Sequence, residues 1–297
     1  VEVNVELIVD AQNALGECML WCDRTQSMLW TDILGRKLWR HRPSSGETRQ
    51  WDMPERLGCF ALTSAEGRLL LGLESRLAWF DFASGEVLTI VEVEADVAGT
   101  RVNDGRCDRQ GRFWAGTMQM DMAAAHEVGR VYRYQADVNA GAALRPQFEH
   151  MIVPNGLAFS PDGKTLYLSD SHPLVQTIWA FDYDIDTGTP HGRRVFVDMK
   201  PLPGRPDGAA VDADGCYWIC GNDAGLVHRF TPDGKLDRSL EVPVKKPAMC
   251  AFGGPQLDTL YVTSIRPGGN LSDQPLAGGV FALRPGIKGL PEPECRF

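Results

Sequence analysis

The sequence predicts an all-β fold: a six-bladed β-propeller of four-stranded blades, formed by residues 1–297 as a single domain. Two observations carry this expectation. An apolar strand, a polar turn and a second strand bearing Trp, Tyr or Leu recur six times, at intervals of roughly 42 to 52 residues. Helical periodicity is nearly absent, with "DMAAAHEVG" at residues 121–129 the best short candidate. A period of that length with several short strands per unit is what a propeller requires.

The units run in order from Gly16 ("GECMLWCDRTQSMLWTDI"), Gly58 ("GCFALTSAEGRLLLGL"), Asn103 ("NDGRCDRQGRFWAGT"), Asn155 ("NGLAFSPDGKTLYLSD"), Asp207 ("DGAAVDADGCYWICG") and Cys250 ("CAFGGPQLDTLYVTS"). The second strands carry Trp30, Leu70, Trp114, Tyr167, Trp218 and Tyr261. A third strand follows in each unit, as in "KLWRH", "RVYRY" and "TIWAFDY", and most units show a fourth, as in "GRRVFVDM". The alternating segment at 1–10 precedes the first unit and has no partner there. It is expected to complete the last blade and close the ring. A pair of β-sandwich domains explains neither the period nor the recurring turns, and no repeated Gly-His…Trp-Asp signature of the WD40 variety appears.

Composition narrows the functional classes. The net charge of −9 and pI near 5.2 disfavour nucleic acid or an anionic membrane as partner. No apolar run approaches the roughly 18 residues of a membrane span. The eight cysteines contain no C-x-x-C pair and read as free thiols packed like small apolar residues, which fits a cytoplasmic location. The six histidines show no metal-binding spacing. A monomer or small homo-oligomer acting on a small molecule is expected.

In a propeller the first strand of each blade lines the central channel. Residues at its entrance therefore converge although they are far apart in sequence. Those positions are Glu17, Cys59, Asn103 with Asp104, Asn155 and Asp207. Asn-Gly and Asp-Gly also suit a sharp turn into a strand. Glu17 does not, since Glu is a poor turn residue and is depleted in strands. Carboxylate and amide oxygens meeting in a channel call for a neutralising cation. An all-oxygen set suits calcium, magnesium or manganese, with zinc or ferrous iron as alternatives.

With these residues in view, the sequence resembles the gluconolactonase, regucalcin (senescence marker protein) and luciferin-regenerating-enzyme family of six-bladed propellers. The resemblance rests on "LGE" at 15–17, "RVNDG" at 101–105, "GRFWAGTM" at 111–118, "VPNGLAFSPDGKTLYLSDS" at 153–171, "RPDGAAVDADGCYW" at 205–218 and "LAGGVFAL" at 276–283. It implies a sugar-acid lactone hydrolase using one divalent metal. The metal ligands it implies are Glu17, Asn155 and Asp207, and the substrate contacts are Arg101, Asn103 and Asp121. Asp207 is also the candidate catalytic base, taking a proton from water and returning it to the ring oxygen. The expected substrate is an aldonolactone such as a glucono-, galactono- or arabinono-lactone. An aldarolactone stays open because Arg101, Lys200 and Arg205 are available for a second carboxylate. Organophosphate ester hydrolysis and a non-catalytic calcium-binding propeller are further alternatives. The Pro-rich 200–206 segment is read as a rigid loop delivering Asp207, and the loops 119–129 and 266–276 as pocket walls. "SDSH" at 169–172 is read as a strand end and turn.

Overall fold

The structure is a computed structural model that describes residues 4–137 and 141–296. Apolar alternation interrupted by tight polar turns gives strands almost throughout, arranged as six four-stranded antiparallel sheets. The blades span residues 16–52, 57–92, 100–151, 154–198, 205–241 and 247–283. The sixth supplies only three strands of its own. Its fourth is Val5–Val9, which pairs antiparallel with Val280–Leu283, Val5 facing Leu283. This is the closure expected from the unpartnered start of the chain. The candidate helical stretch forms only a 3₁₀ turn, Met122–Ala124. Among the described residues no helix is long and apolar enough to cross a membrane.

Blades pack face to face through large side chains. Trp114 lies 5.9 Å from Tyr183 at the third interface, and Trp218 meets Phe252 edge-on at 5.7 Å between the fifth and sixth blades. Burial of such a side chain is worth about 1.5–3 kcal/mol. All eight thiols are free and seven are buried, with Cys18 and Cys59 packed in the apolar layer between the first blades.

The six inner strands are Gly16–Cys22, Leu57–Leu62, Thr100–Cys107, Pro154–Phe159, Arg205–Val211 and Pro247–Gly253. Neighbours pack side by side around the channel, and the last returns to the first. Each holds a register shift near its entrance. The shifts fall between Glu17 and Leu20, Leu57 and Cys59, Val102 and Gly105, Asn155 and Ala158, Pro206 and Ala209, and Pro247 and Cys250. In every case the inner strand carries one more residue than its partner, a β-bulge that bends the strand and re-aims its side chains.

The Asp-Gly step at 207–208 lies in such a bulge. A Cβ on Gly208 would stand 2.7 Å from the Ala248 carbonyl oxygen and would overlap the Met249 side chain. The glycine therefore lets two inner strands approach closely. Gly208→Ala is expected to cost about 1–3 kcal/mol, the usual range for overpacking, read as a lower midpoint of urea unfolding. An unchanged midpoint would mean the strands have slack there.

After the last sheet the chain crosses the exit ends of the inner strands. Ala213 donates to Lys288 O at 2.8 Å, Gly289 to Leu257 O at 2.7 Å, Cys295 to Leu62 O at 2.7 Å and Arg296 to Gly111 O at 3.0 Å. Glu292 of this segment pairs with buried Arg106 at 3.0 Å. The tail thus spans the end of the channel opposite Glu17, Asn155 and Asp207.

Candidate functional site

The site is built where chain enters the inner strands. In the first and fourth blades the last residue of the second strand is an aspartate that holds the incoming loop. Asp32 accepts the N–H groups of Ala14 and Leu15, both at 3.0 Å. Asp170 accepts those of Ile152 at 2.8 Å and Val153 at 3.1 Å. The loops fixed in this way present Glu17 and Asn155, each the last paired residue before its bulge. Asp207, Asn103 and Asp104 fall inside the bulges of their strands.

Asp207 is buried and gripped on both oxygens. Asn155 Nδ2 donates to Oδ1 and Asn222 Nδ2 to Oδ2, each at 2.5 Å. Asn155 Oδ1 accepts the Gly156 N–H at 3.0 Å. Gly156 has φ +64°, open to glycine without strain, and its carbonyl accepts the Tyr217 hydroxyl at 2.7 Å. In the third blade Arg101 Nη1 donates to Asn103 Oδ1 at 2.9 Å and to Val102 O at 3.0 Å. Asn103 Nδ2 reaches across to Pro154 O at 3.1 Å, and Asp104 accepts the N–H of Leu157 at 2.9 Å. Blades three, four and five are thereby joined by one polar network.

The acids of this network are strained electrostatically. Burial pushes Asp207 up to about 7, against the pull of Asn222, Arg205 and Asn155. Glu17 is held well above the carboxylate range, first by loss of water and then by Asp207 and Asp104, with Arg101 opposing. Burial also raises Asp104, although the Leu157 N–H and Arg106 pull it down. Burial lowers Arg101 to about 10 while Glu17 favours its charge. Three acids thus share a channel entrance, with Arg101, Arg205 and Arg106 each favouring the charge of one of them. Among the described residues no group of three or more His, Cys, Asp or Glu is arranged to hold a metal. The candidate set here is two carboxylates and a carboxamide.

The other residues singled out from sequence either face solvent or are bound to groups outside this network. Asp121 is exposed and accepts the Ala123 N–H at 3.2 Å, capping the 3₁₀ turn. Arg205 is engaged by Asp223 at 2.7 Å and by Ser171 O at 3.3 Å. Lys200 is exposed. The "SDSH" stretch ends its strand at Asp170, and His172 Nε2 lies 3.2 Å from Met122 O, tying the turn to the 119–125 loop. Sequence reasoning missed Asn222. Its signal was its place in the blade, opposite Arg205 as Asp32 is opposite Gly16 and Asp170 opposite Pro154.

A family described as the SMP-30/gluconolactonase/LRE-like region matches residues 15–266. The chain belongs to this family. An L-arabinolactonase of Azospirillum brasilense is 41% identical over 281 residues, covering 94% of this chain and 91% of the relative. A 6-deoxy-6-sulfogluconolactonase of Pseudomonas putida is 38% identical over 301 residues, covering 97% of each. The crystal structure of a calcium-binding protein, regucalcin, from Agrobacterium tumefaciens superimposes with a TM-score of 0.92 at 30% identity. It covers 100% of this chain and 98% of the other. The match begins two residues before Glu17 and ends just past the second strand of the sixth blade, Thr259–Ser264.

Proposed function

We propose that the protein hydrolyses a sugar-acid lactone at the channel entrance, with one divalent cation held by Glu17, Asn155 and Asp207. The observation that carries this reading is Asp207, a buried carboxylate gripped by two carboxamides beside two further acids. The donor set fits a hard cation. Both carboxylates are pushed toward neutrality without one, and turning the Asn155 amide would set its oxygen beside Asp207, an arrangement only a cation makes favourable. When bound, such a cation neutralises the acids and polarises the ester carbonyl.

The chain's own groups supply the rest. Water attacks the carbonyl carbon, the ring C–O bond breaks, and the ring oxygen needs a proton. Asp207 takes the proton of the attacking water and delivers it to that oxygen. Asn222, which donates to Oδ2, fixes the carboxylate plane for both transfers. Arg101, oriented by Asn103, offers the remainder of its planar fork to the hydroxyls of the ring. The lactonase relatives support this reaction class. An aldonolactone suits the site better than an aldarolactone, because Arg205 is already committed to Asp223.

The test is a panel of aldonolactones, aldarolactones and phosphotriesters, followed by pH-stat with chelator-treated protein and after return of calcium, manganese or zinc. Cation-dependent opening of aldonolactones is expected. Hydrolysis of phosphotriesters alone, or full lactonase activity in chelator, would overturn the reading.

A further inference from the structure

We infer that Asn222 is a positioning residue for Asp207, placed at a site of the blade that elsewhere holds the incoming loop; this rests on the reading of Asp207 given above. Asp32, Asp170 and Asn222 occupy the same place in three blades, each paired with the residue just before the last one paired ahead of the inner-strand bulge. All three are buried. In the first and fourth blades the carboxylate takes two successive N–H groups from the loop, those of Ala14 and Leu15 or of Ile152 and Val153. The corresponding residues of the fifth blade are Pro203 and Gly204. Proline has no N–H to offer, so a carboxylate there would lose a partner in a buried setting.

The fifth blade secures its loop differently. Pro203 O lies 2.9 Å from His228 Nε2, and Gly204 runs directly against the backbone of Gly221. Position 222 is thereby released from loop support. It carries an amide, which can donate where an aspartate cannot, and its Nδ2 meets Asp207 Oδ2 at 2.5 Å. Its Oδ1 is buried and finds no donor. A buried amide with one half unsatisfied costs free energy. That cost is offset where the other half aims a carboxylate whose orientation matters. Asn222 fixes the plane of Asp207 so that Oδ1 stays directed toward Asn155.

The experiment uses Asn222→Leu, which keeps the volume, and Asn222→Ala, which adds no bulk if the leucine variant fails to fold. Asp170→Asn serves as the loop-support comparison. Calcium and manganese affinities are measured by competition with a chromophoric chelator, alongside kcat and KM for the aldonolactone and the melting temperature of cation-free protein. The Asn222 variants are expected to bind the cation tenfold to a hundredfold more weakly, as loss of a partner behind a ligand does, and to lose kcat more than KM. Asp170→Asn is expected to lower the melting temperature first. Asn222 variants that melt lower yet keep the parent's cation affinity and kcat would overturn the inference. If the parent binds no divalent cation, the cation reading falls, and Asn222 is judged on kcat against KM. If the parent opens no lactone, it is judged on cation affinity. If neither property exists, the inference falls too.

Discussion

Asp207→Asn is expected to lower kcat/KM for the lactone by roughly 10³-fold, within the range for loss of a positioned acid–base group, with the fold retained. The neutral amide has the size of the carboxylate and keeps one acceptor for Asn155. Its new NH₂ group needs an acceptor, and the unsatisfied Oδ1 of Asn222 becomes one when that amide turns over. Because the buried carboxylate of Asp207 is raised to about 7, removing it should also raise the melting temperature of cation-free protein at pH 8. Steady-state kinetics at saturating cation and thermal melts after chelation check the two halves. A variant that hydrolyses lactone like the parent removes Asp207 from the chemistry.

The second large effect concerns pH and the cation together. Without a cation, stability contributed by this site should fall as pH rises from about 4 to about 7. The sign follows from linkage. Between its ordinary value of 3.8 and its folded value of about 7, Asp207 holds a proton in the native state that the unfolded chain has released. The native state is favoured at the acid end of this window, and the full penalty applies above it. Glu17 and Asp104 move in the same direction. Surface carboxylates held low, such as Asp237 beside Arg238 and Arg229, act in the opposite sense but finish titrating below the window. His41 and His228, lowered by burial, also act oppositely within it. The difference between parent and Asp207→Asn melts, taken from pH 4.5 to 8, isolates the site. Added calcium should stabilise the parent far more at pH 8 than at pH 5, because binding must displace the proton. Parallel pH profiles for parent and variant would refute the assignment.

The propeller was legible because each unit is a local hydrophobic pattern, and six copies of it average out local noise. The unpartnered first strand and the empty place in the last blade matched by elimination. The detailed register was not legible. Trp114, Trp218 and Tyr261 do occupy one register site, but Trp30 stands two positions and Tyr167 one position further along, and Leu70 one position earlier. Bulges and unequal turns shift the count, and neither leaves a distinctive residue type. For the same reason Glu17 and Asn155 precede their bulges whereas Asp207 lies inside one. The convergence of Asn155 and Asp207 was visible as a run of strand entrances, and the structure joins them by a direct hydrogen bond. Asn222 looked like an ordinary residue of a hairpin, since its meaning depends on a partner across the sheet and on Pro203, in the loop that enters the neighbouring inner strand. Arg205 looked free because Asp223, which takes its charge, belongs to a loop that sequence does not place beside it.

The pairing of Val5–Val9 with Val280–Leu283 orders events during synthesis. The strand Val5–Val9 leaves the ribosome long before Val280–Leu283 and waits while the intervening blades are made. Until then its edge is open, and so is the sheet that will receive it. Joining ends so distant costs only about 5 kcal/mol more than joining adjacent ones, since the entropy grows with the logarithm of loop length. The delay, rather than the free energy, is therefore the hazard. While blades one to five assemble on neighbouring contacts, the nascent chain carries an unpaired β-edge that a second chain can capture.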